Sequence, residues 1–554
     1  MNRNLNSKLF SALLVFCFFS FQSYAQGSFE TVYNILQANC SSSSCHGGAT
    51  PAANLGLDGS MSEVYDALIN ATPVNPNAAN KGDKLVDPGH ASRSFLLKKV
   101  AKDFSQDLTL EVADGGIMPP SAAAALSDAE KELIRQWIMY GAPETGYVVD
   151  ADHEQLVRDY YEIGNGLPKI EPLPMPDPAD GFQIHLGPIF HEPNQEDEYF
   201  LKQYLDLPDD IEVVRLELKM NDESHHFILR RYEDYDDAEG DADGLRLLET
   251  SFQDLSRNFV NAWQDDFQYS LPEGTAYFWE DSTVLDLNYH ILNYNDSLTL
   301  PSEMYLNIYT QPKGTAEHEM KASLINNLAL FIPNNNQPTT FTDDWNSGGN
   351  RPINIWMLSS HTHKYGTDFD IFLRNPDGSR GDQVYEGFYN FDYTFNQGFY
   401  DWEHPAVRMF DPYLSIDLQN GLIYEATYQN YGNNFVTFGF TTNDEMMLMY
   451  AQYIEGDLST SIDDLLPETF EYAVAPNPFN DATQIFYTNP EKAAVKLEVF
   501  DQLGRKVVTL ADETQIEGAY NYMIRKEDLG GTPGIYFVRL LVDGKLGTKK
   551  IIMN

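Results

Sequence analysis

Five of the twelve histidines fall in three short stretches that could hold metal. In "NDESHHFILRR", His225 and His226 are adjacent, so on a regular strand they face opposite ways and share one ion only if the strand ends or twists there. In "STVLDLNYHILNYN", Leu285, Leu287, Tyr289 and Ile291 alternate with Asp286, Asn288 and His290, which puts His290 on the polar face of a strand. In "MLSSHTHKYG", His361 and His363 are two apart and project from one face, a two-pronged grip on a metal. A fourth stretch, "FGFTTNDEMMLMYAQY", adds Met446 and Met447 at the mouth of an apolar run. Imidazole suits copper or zinc, whereas a thioether selects Cu(I). Three His in one site and two His plus Met in another describe a two-copper redox protein.

A second centre is written in "CSSSSCHGG", where Cys40, Cys45 and His46 crowd together. Three chemistries compete: a Cys40–Cys45 disulfide, zinc with two further ligands such as His90, or haem on two thioethers with His46 as axial ligand. Downstream, "DGGIMPPS" holds Met118 in a Pro-bound loop, and a haem with His on one side commonly takes a Met sulfur on the other. In "LSDAEKELIRQWIMYGAP", Ser127 and Glu130 form a capping box, Leu133, Ile134, Trp137 and Ile138 make one apolar stripe, and Gly141 ends the helix.

The elements that carry these residues are of different kinds. Residues 26–147 read as helices around irregular loops, and the long remainder as β-structure of short alternating strands and turns. Between them "NGLPKIEPLPMPDPAD" (residues 165–180) is a stiff Pro-rich linker. Composition changes again near residues 456–470, which sets off a small module at 470–554. Arg3 and Lys8, an apolar run to Phe21 and Ser23-Tyr24-Ala25 predict a signal peptide over residues 1–25. The expected fold is multidomain and mainly β: a small all-α domain, two β-sandwiches and a small β-sandwich tail.

Three resemblances sharpen this reading. The segments "VDPGHASRSFLLKKV", "MPP" and "WIMYGAP" resemble the cytochrome c-like domains fused to other domains in secreted bacterial proteins. That likeness implies one covalent haem c on Cys40 and Cys45, with His46 proximal and Met118 distal. The ordered set "HHF", "DLNYH", "HTHKYG" and "FGFTTNDEM" is similar to the copper type II, ascorbate-dependent monooxygenases, the family of peptidylglycine hydroxylating and dopamine β-monooxygenases. This implies two jelly-roll sandwiches, at 181–315 and 316–455, with one copper on His225, His226 and His290 and a second on His361, His363 and Met446. In that family the second copper activates O2, the first relays an electron, and a substrate C–H bond is hydroxylated, so His361, His363 and Met446 carry the catalytic role. The peptide-amidating branch fixes its substrate carboxylate with an Arg and an Asn whose places are taken here by Ser359 and Leu448, while Tyr450 matches a substrate-contacting Tyr. The implied substrate, small molecule or peptide, is therefore not held by that carboxylate contact. The family's disulfides are also missing, since no cysteine lies beyond residue 45. The tail, with Asn477-Pro478-Phe479, Gly504, Gly534-Ile535-Tyr536 and the closing "KKIIMN", looks like the C-terminal sorting domain of the type IX secretion system, which implies a Bacteroidota source and the secretion machinery as partner.

Composition limits the partners. Lys+Arg 36 against Asp+Glu 83 gives a formal charge of −47, which repels nucleic acid and anionic lipid. No segment after the signal peptide is long enough to span a membrane. The expectation is an exported copper monooxygenase-like enzyme using O2 and an electron donor, a part its own haem domain can play at high effective concentration on the linker. The alternative is a non-catalytic copper and haem electron-transfer or metal-binding surface protein. A zinc hydrolase is disfavoured because no Glu or Asp is placed within the His motifs as general base. His185, His191, His318 and His404 are assigned to structure or surface, and His90 to a loop.

Overall fold

The computed structural model describes residues 27–102, 104–105, 108–120, 125–148, 151–163, 167, 169–221, 224–247, 257–263, 266–388, 400–456, 472–489, 491–501, 505–543 and 545–554. The signal peptide, Gly504 and the side chain of His225 lie outside the described residues. The chain forms two compact units, residues 1–456 and 457–554.

The first unit begins with helices. Ser28–Asn39 packs against Asp128–Met139, where Phe29 stacks on Trp137 at a centroid distance of 5.0 Å. The Asp128–Met139 helix starts at Ser127, whose hydroxyl accepts from Glu130 N–H while the Glu130 carboxylate accepts from Ser127 N–H. Its stripe of Leu133, Ile134, Trp137 and Ile138 is buried. Gly141 follows at φ +89°, a left-handed turn that favours glycine.

The rest of this unit, among the described residues, is β apart from the short helix Tyr235–Glu239. One nine-stranded sheet runs through both halves. Gly181–His191, Leu300–Pro312, Ile211–Met220 and Thr275–Trp279 continue, through a parallel pairing of Thr275–Trp279 with His318–Asn326, into Leu448–Glu455, Pro352–His361 and Val407–Asp417. Phe267–Ser270 pairs with Ile211–Met220 off this path. A five-stranded sheet, Leu245–Leu247, Glu196–Tyr204, Val284–Leu292, Ser224–Arg231 and Asn258–Trp263, covers the first half. A four-stranded sheet, Pro338–Trp345, Leu422–Gln429, Gly366–Arg374 and Arg380–Glu386, covers the second. In the second sandwich Ile353, Ile355 and Leu358 meet Phe369, Ile371, Tyr424 and Tyr428 across the core.

The helices are docked on the first sandwich. Phe190, from the Gly181–His191 strand, belongs to the helical core, and the next residue, His191, lies inside the sandwich with its ring 5.6 Å from Tyr199. Strand neighbours point to opposite faces, so one strand serves both cores. Arg135 donates to Gly187 O and Gln136 to Pro188 O at 3.0 Å. Arg93 pairs with Asp206, and His90 with Asp243 at 3.0 Å. The described part of the Pro-rich stretch lies along the sandwich, where Gln183 donates to Leu173 O and Asn307 to Pro174 O at 3.0 and 2.9 Å. The sequence pictures a tethered module with a reach set by its linker, whereas the structure shows a seam of polar bonds, those of Arg135 and Gln136 buried.

The second unit pairs a three-stranded and a four-stranded sheet around Ile485, Leu497, Val538 and Ile551. Asn477 ties down the last strand, donating to Lys550 O and accepting from Ile552 N–H, both at 2.8 Å.

Candidate metal centre between the sandwiches

The polar face expected for the His290 strand is not open to water. Asp286, Asn288 and His290 are at most 1 % exposed, and the whole Val284–Leu292 strand is buried on both faces. At the His290 end the covering is the other sandwich, through Thr442 on Glu196 and His361 on His226. His290 and His226 pair across neighbouring strands, with His290 Nδ1 and His226 Nε2 3.2 Å apart. Two nitrogens bound at about 2 Å to one tetrahedral metal sit roughly 3.3 Å apart, so this pair is at bite distance. The register of Ser224–Arg231 shifts between Ser224 and His226, leaving His225 as the extra residue of a bulge. A metal shared by these adjacent histidines needs such an irregularity.

From the second sandwich, His361 ends its strand opposite Leu448 and meets His226 ring to ring, with centroids 5.9 Å apart and planes at 90°. His363 follows at 5.1 Å from His361. The four rings form a continuous line, His290, His226, His361, His363, in which the two expected sites adjoin across the sandwich boundary. His363 Nδ1 lies 3.2 Å from Asp444 O. A carbonyl only accepts, so the proton is on Nδ1 and the lone pair on Nε2. Burial, then the charges of His363 and His290, hold His361 well below the usual imidazole range. Burial and His290 bring His363 to about 4 against the pull of the Asp444 carbonyl. Both are neutral donors at physiological pH.

Met446 and Met447 separate by face. Met447 is fully buried in the second core with Met449, Ala451 and Tyr453. Met446 stands outside that core cluster, in the alternation of Tyr450 and Gln452, which reach the first sandwich at Asn261 and Tyr269. Tyr450 donates to Asn261 Oδ1 at 2.7 Å and accepts from Gln452, so its hydroxyl belongs to the seam.

Two carboxylates escaped the sequence reading. Glu196 Oε1 lies 3.1 Å from His290 Nε2 and also accepts Thr442 N–H at 2.9 Å, while Oε2 accepts Thr442 Oγ1 at 3.1 Å. Burial opposes the charge on Glu196, but the hydrogen bonds from His290 and Thr442 prevail and hold it below the usual carboxylate range. Glu445 is fully buried and accepts from the N–H groups of His363, Tyr365 and Met446 at 2.8, 2.7 and 3.2 Å. Burial pushes it up to about 8 against those donors. The His motifs themselves place no acidic residue as a general base; folding brings these two carboxylates to them. All four of their oxygens serve bound N–H and O–H groups, which is the arrangement of supports and not of a base facing water.

Among the described residues, three acidic groups outside the His line, Asp368, Asp370 and Glu386, bring carboxylate oxygens within 4.8 Å of one another. Burial, then the charges of Asp368 and Glu386, push Asp370 up to about 7. A shared proton relieves that repulsion without a metal.

In the helical part, Cys40 caps the Ser28–Asn39 helix and Cys45 and His46 follow in a folded turn, with His46 N–H donating to Cys40 O at 3.1 Å. Both thiols are unpaired. Burial, then Cys45 and Glu130, pushes Cys40 up to about 11, whereas the hydroxyls of Ser42 and Ser44 lower Cys45. His46 Nδ1 lies 3.2 Å from Leu55 O, so its proton faces the carbonyl and Nε2 keeps the lone pair. That tautomer fits an axial ligand. Met118 is 37 % exposed, its N–H held by Lys99 O at 2.8 Å. His90, the zinc candidate, is engaged by Asp243 instead. His185 stacks on Tyr305 at 4.3 Å, His404 Nδ1 is 3.1 Å from Asp401, and His318 opens the parallel pairing between the sandwiches.

Residues 473–554 match the secretion system C-terminal sorting domain. The protein is accordingly addressed through the type IX machinery to the cell surface or the medium. No helix among the described residues is long and apolar enough to cross a membrane. No curated protein matches the chain in sequence. Solved structures with partial likeness include the major capsid protein P2 of bacteriophage PM2, at 10 % identity, 50 % of this chain, 98 % of that one and TM-score 0.23. The STIV major capsid protein follows at 10 %, 52 %, 95 % and 0.20, and a β-glucuronidase of Faecalibacterium prausnitzii at 11 %, 44 %, 47 % and 0.15.

Proposed function

We propose that the protein is an exported copper-dependent monooxygenase-like oxidoreductase that hydroxylates a C–H bond of an organic substrate. The observation that supports this most is the convergence of His226, His290, His361 and His363, from strands and loops far apart in sequence, into one line of rings between two sandwiches. His226 and His290, with His225 at the bulge, would hold one copper; His361, His363 and Met446 would hold the other. Bound copper supplies the one-electron steps and the affinity for O2 that side chains lack. The chain's own groups do the rest. Asp444 O keeps the His363 proton on Nδ1, Glu445 fixes the backbone of His363 and Met446 together, and burial keeps His361 and His363 neutral.

Cys40, Cys45, His46 and Met118 would carry a haem c, whose role is electron supply. Docking through Phe190 and Arg135 supports a fixed donor in place of a swinging one. One observation favours the non-catalytic alternative: Tyr450, the residue that matches a substrate contact, is occupied within the seam. Copper and haem content of the secreted protein, with O2 uptake coupled to candidate substrates, decides between them. The enzyme reading expects substrate-coupled uptake that disappears in Met446→Ala while the His226 and His290 copper stays. Copper that changes redox state without substrate-coupled uptake gives the electron-transfer protein, and absence of copper overturns both.

A further inference from the structure

We propose that Glu196 is a positioning residue that couples the two metal sets, so that filling His226 and His290 stabilises the Met446 loop and the second set binds more tightly. This rests on the copper reading above. The carboxylate of Glu196 accepts from His290 Nε2 at 3.1 Å, which places the His290 proton on Nε2 and turns the lone pair of Nδ1 toward His226 Nε2 at 3.2 Å. A carboxylate behind a ligating imidazole raises its basicity and fixes its ring.

The same carboxylate is the anchor of a loop from the other sandwich. Thr442 donates to it through both N–H and Oγ1 across 246 residues of chain. Within four residues of Thr442, the loop presents Asp444 O to His363 Nδ1, Glu445 to the N–H groups of His363 and Tyr365, and Met446 itself. A metal at His290 polarises the imidazole and strengthens its bond to Glu196; the anchored loop then holds His363 and Met446 in register. By linkage the effect is reciprocal, and the second metal tightens the first. The path contains no ligand common to both sets, so it can be cut without removing one.

The test is Cu(I) titration of the full secreted protein against a competing chelator, with X-ray absorption to register the Met446 sulfur. Wild type is compared with Glu196→Gln, with the near-isosteric Thr442→Val and with His290→Ala. Glu196→Gln is expected to weaken the first set about 10- to 100-fold. It should also weaken the second set about fivefold or more, although none of that set's ligands has changed. Thr442→Val leaves the first set's own contacts intact and is expected to loosen the second by several-fold, with a reduced sulfur contribution. His290→Ala should do the same. Second-set affinity within about twofold of wild type in these variants refutes the coupling while leaving the copper reading standing. A wild type that takes no copper removes both.

Discussion

Substituting glutamine for Glu303 changes a single ionisable group at the seam between the helices and the first sandwich. Glu303 is 4 % exposed; burial, then the charge of Glu132, pushes it up to about 7, against the opposing pull of Arg135 and hydrogen bonds from Tyr160 and Tyr305. Relative to an ordinary value of 4.5, that is about 2.5 pH units, or about 3 kcal/mol of ionisation cost paid by the folded state. The sign follows from proton uptake. Between pH 4.5 and 7 the folded chain holds more protons than the unfolded one, so this contribution is fully present below 4.5 and lost as pH rises through 7. Glutamine removes the charge and keeps an acceptor for the tyrosines. Glu303→Gln is therefore expected to be more stable than wild type at pH 8 by up to about 3 kcal/mol, with the difference shrinking toward zero at pH 4.5. Denaturant unfolding at a series of pH values, followed by tryptophan emission, measures it. A variant that is less stable at pH 8, or a difference that does not vary with pH, refutes the reasoning.

Three further outcomes are expected. Met447→Ala, in the core, should lose about 2–5 kcal/mol of stability and no copper, whereas Met446→Ala, buried but outside that core cluster, should lose the second copper and keep the first; metal analysis beside calorimetry separates the two. Arg135→Met leaves Glu132 buried without its partner at 2.8 Å, and should cost about 3–5 kcal/mol, read by denaturant unfolding. Asn477→Ala removes two bonds to the final strand, worth about 1 kcal/mol each, and should lower the melting point of the isolated sorting unit and the amount of protein exported.

The parts legible in the sequence are those whose signal is local. The capping box at Ser127, the apolar stripe ending at Gly141 and the strand read from the alternation through Tyr289 each need only a few neighbouring residues, and each reappears in the fold. The adjacent histidines could share one ion only at a strand irregularity, and the structure has one at His225. Glu196 and Glu445 could not be found so. They are two among 83 acidic residues, and what distinguishes them is contact with Thr442 and His363, made across 246 and 82 positions. Burial of the polar face of the His290 strand is equally non-local, because alternation shows that two faces differ and not what covers each. The docking of the helices did leave a trace. "LGPIFH" is apolar at successive positions, the mark of a strand covered on both sides.

The burial of that polar face explains why the seam can be a site at all. Asp286, Asn288 and His290 would cost several kcal/mol in an apolar contact unless each found a partner. They find them on strands of their own sheet: Arg246 for Asp286, Glu198 for Asn288, and Glu196 with His226 for His290. A purely structural seam is made more stably by apolar side chains, since buried ion pairs and polar networks seldom repay their desolvation. The first and second sandwiches already share one continuous sheet through the pairing at Thr275 and His318, so adhesion does not require the histidines. His226, His290, His361 and His363 lie together where the two sandwiches meet, with Glu196 fixing the tautomer of His290, the Asp444 carbonyl that of His363, and burial holding His361 and His363 neutral, which is what the proposed copper sites ask of them.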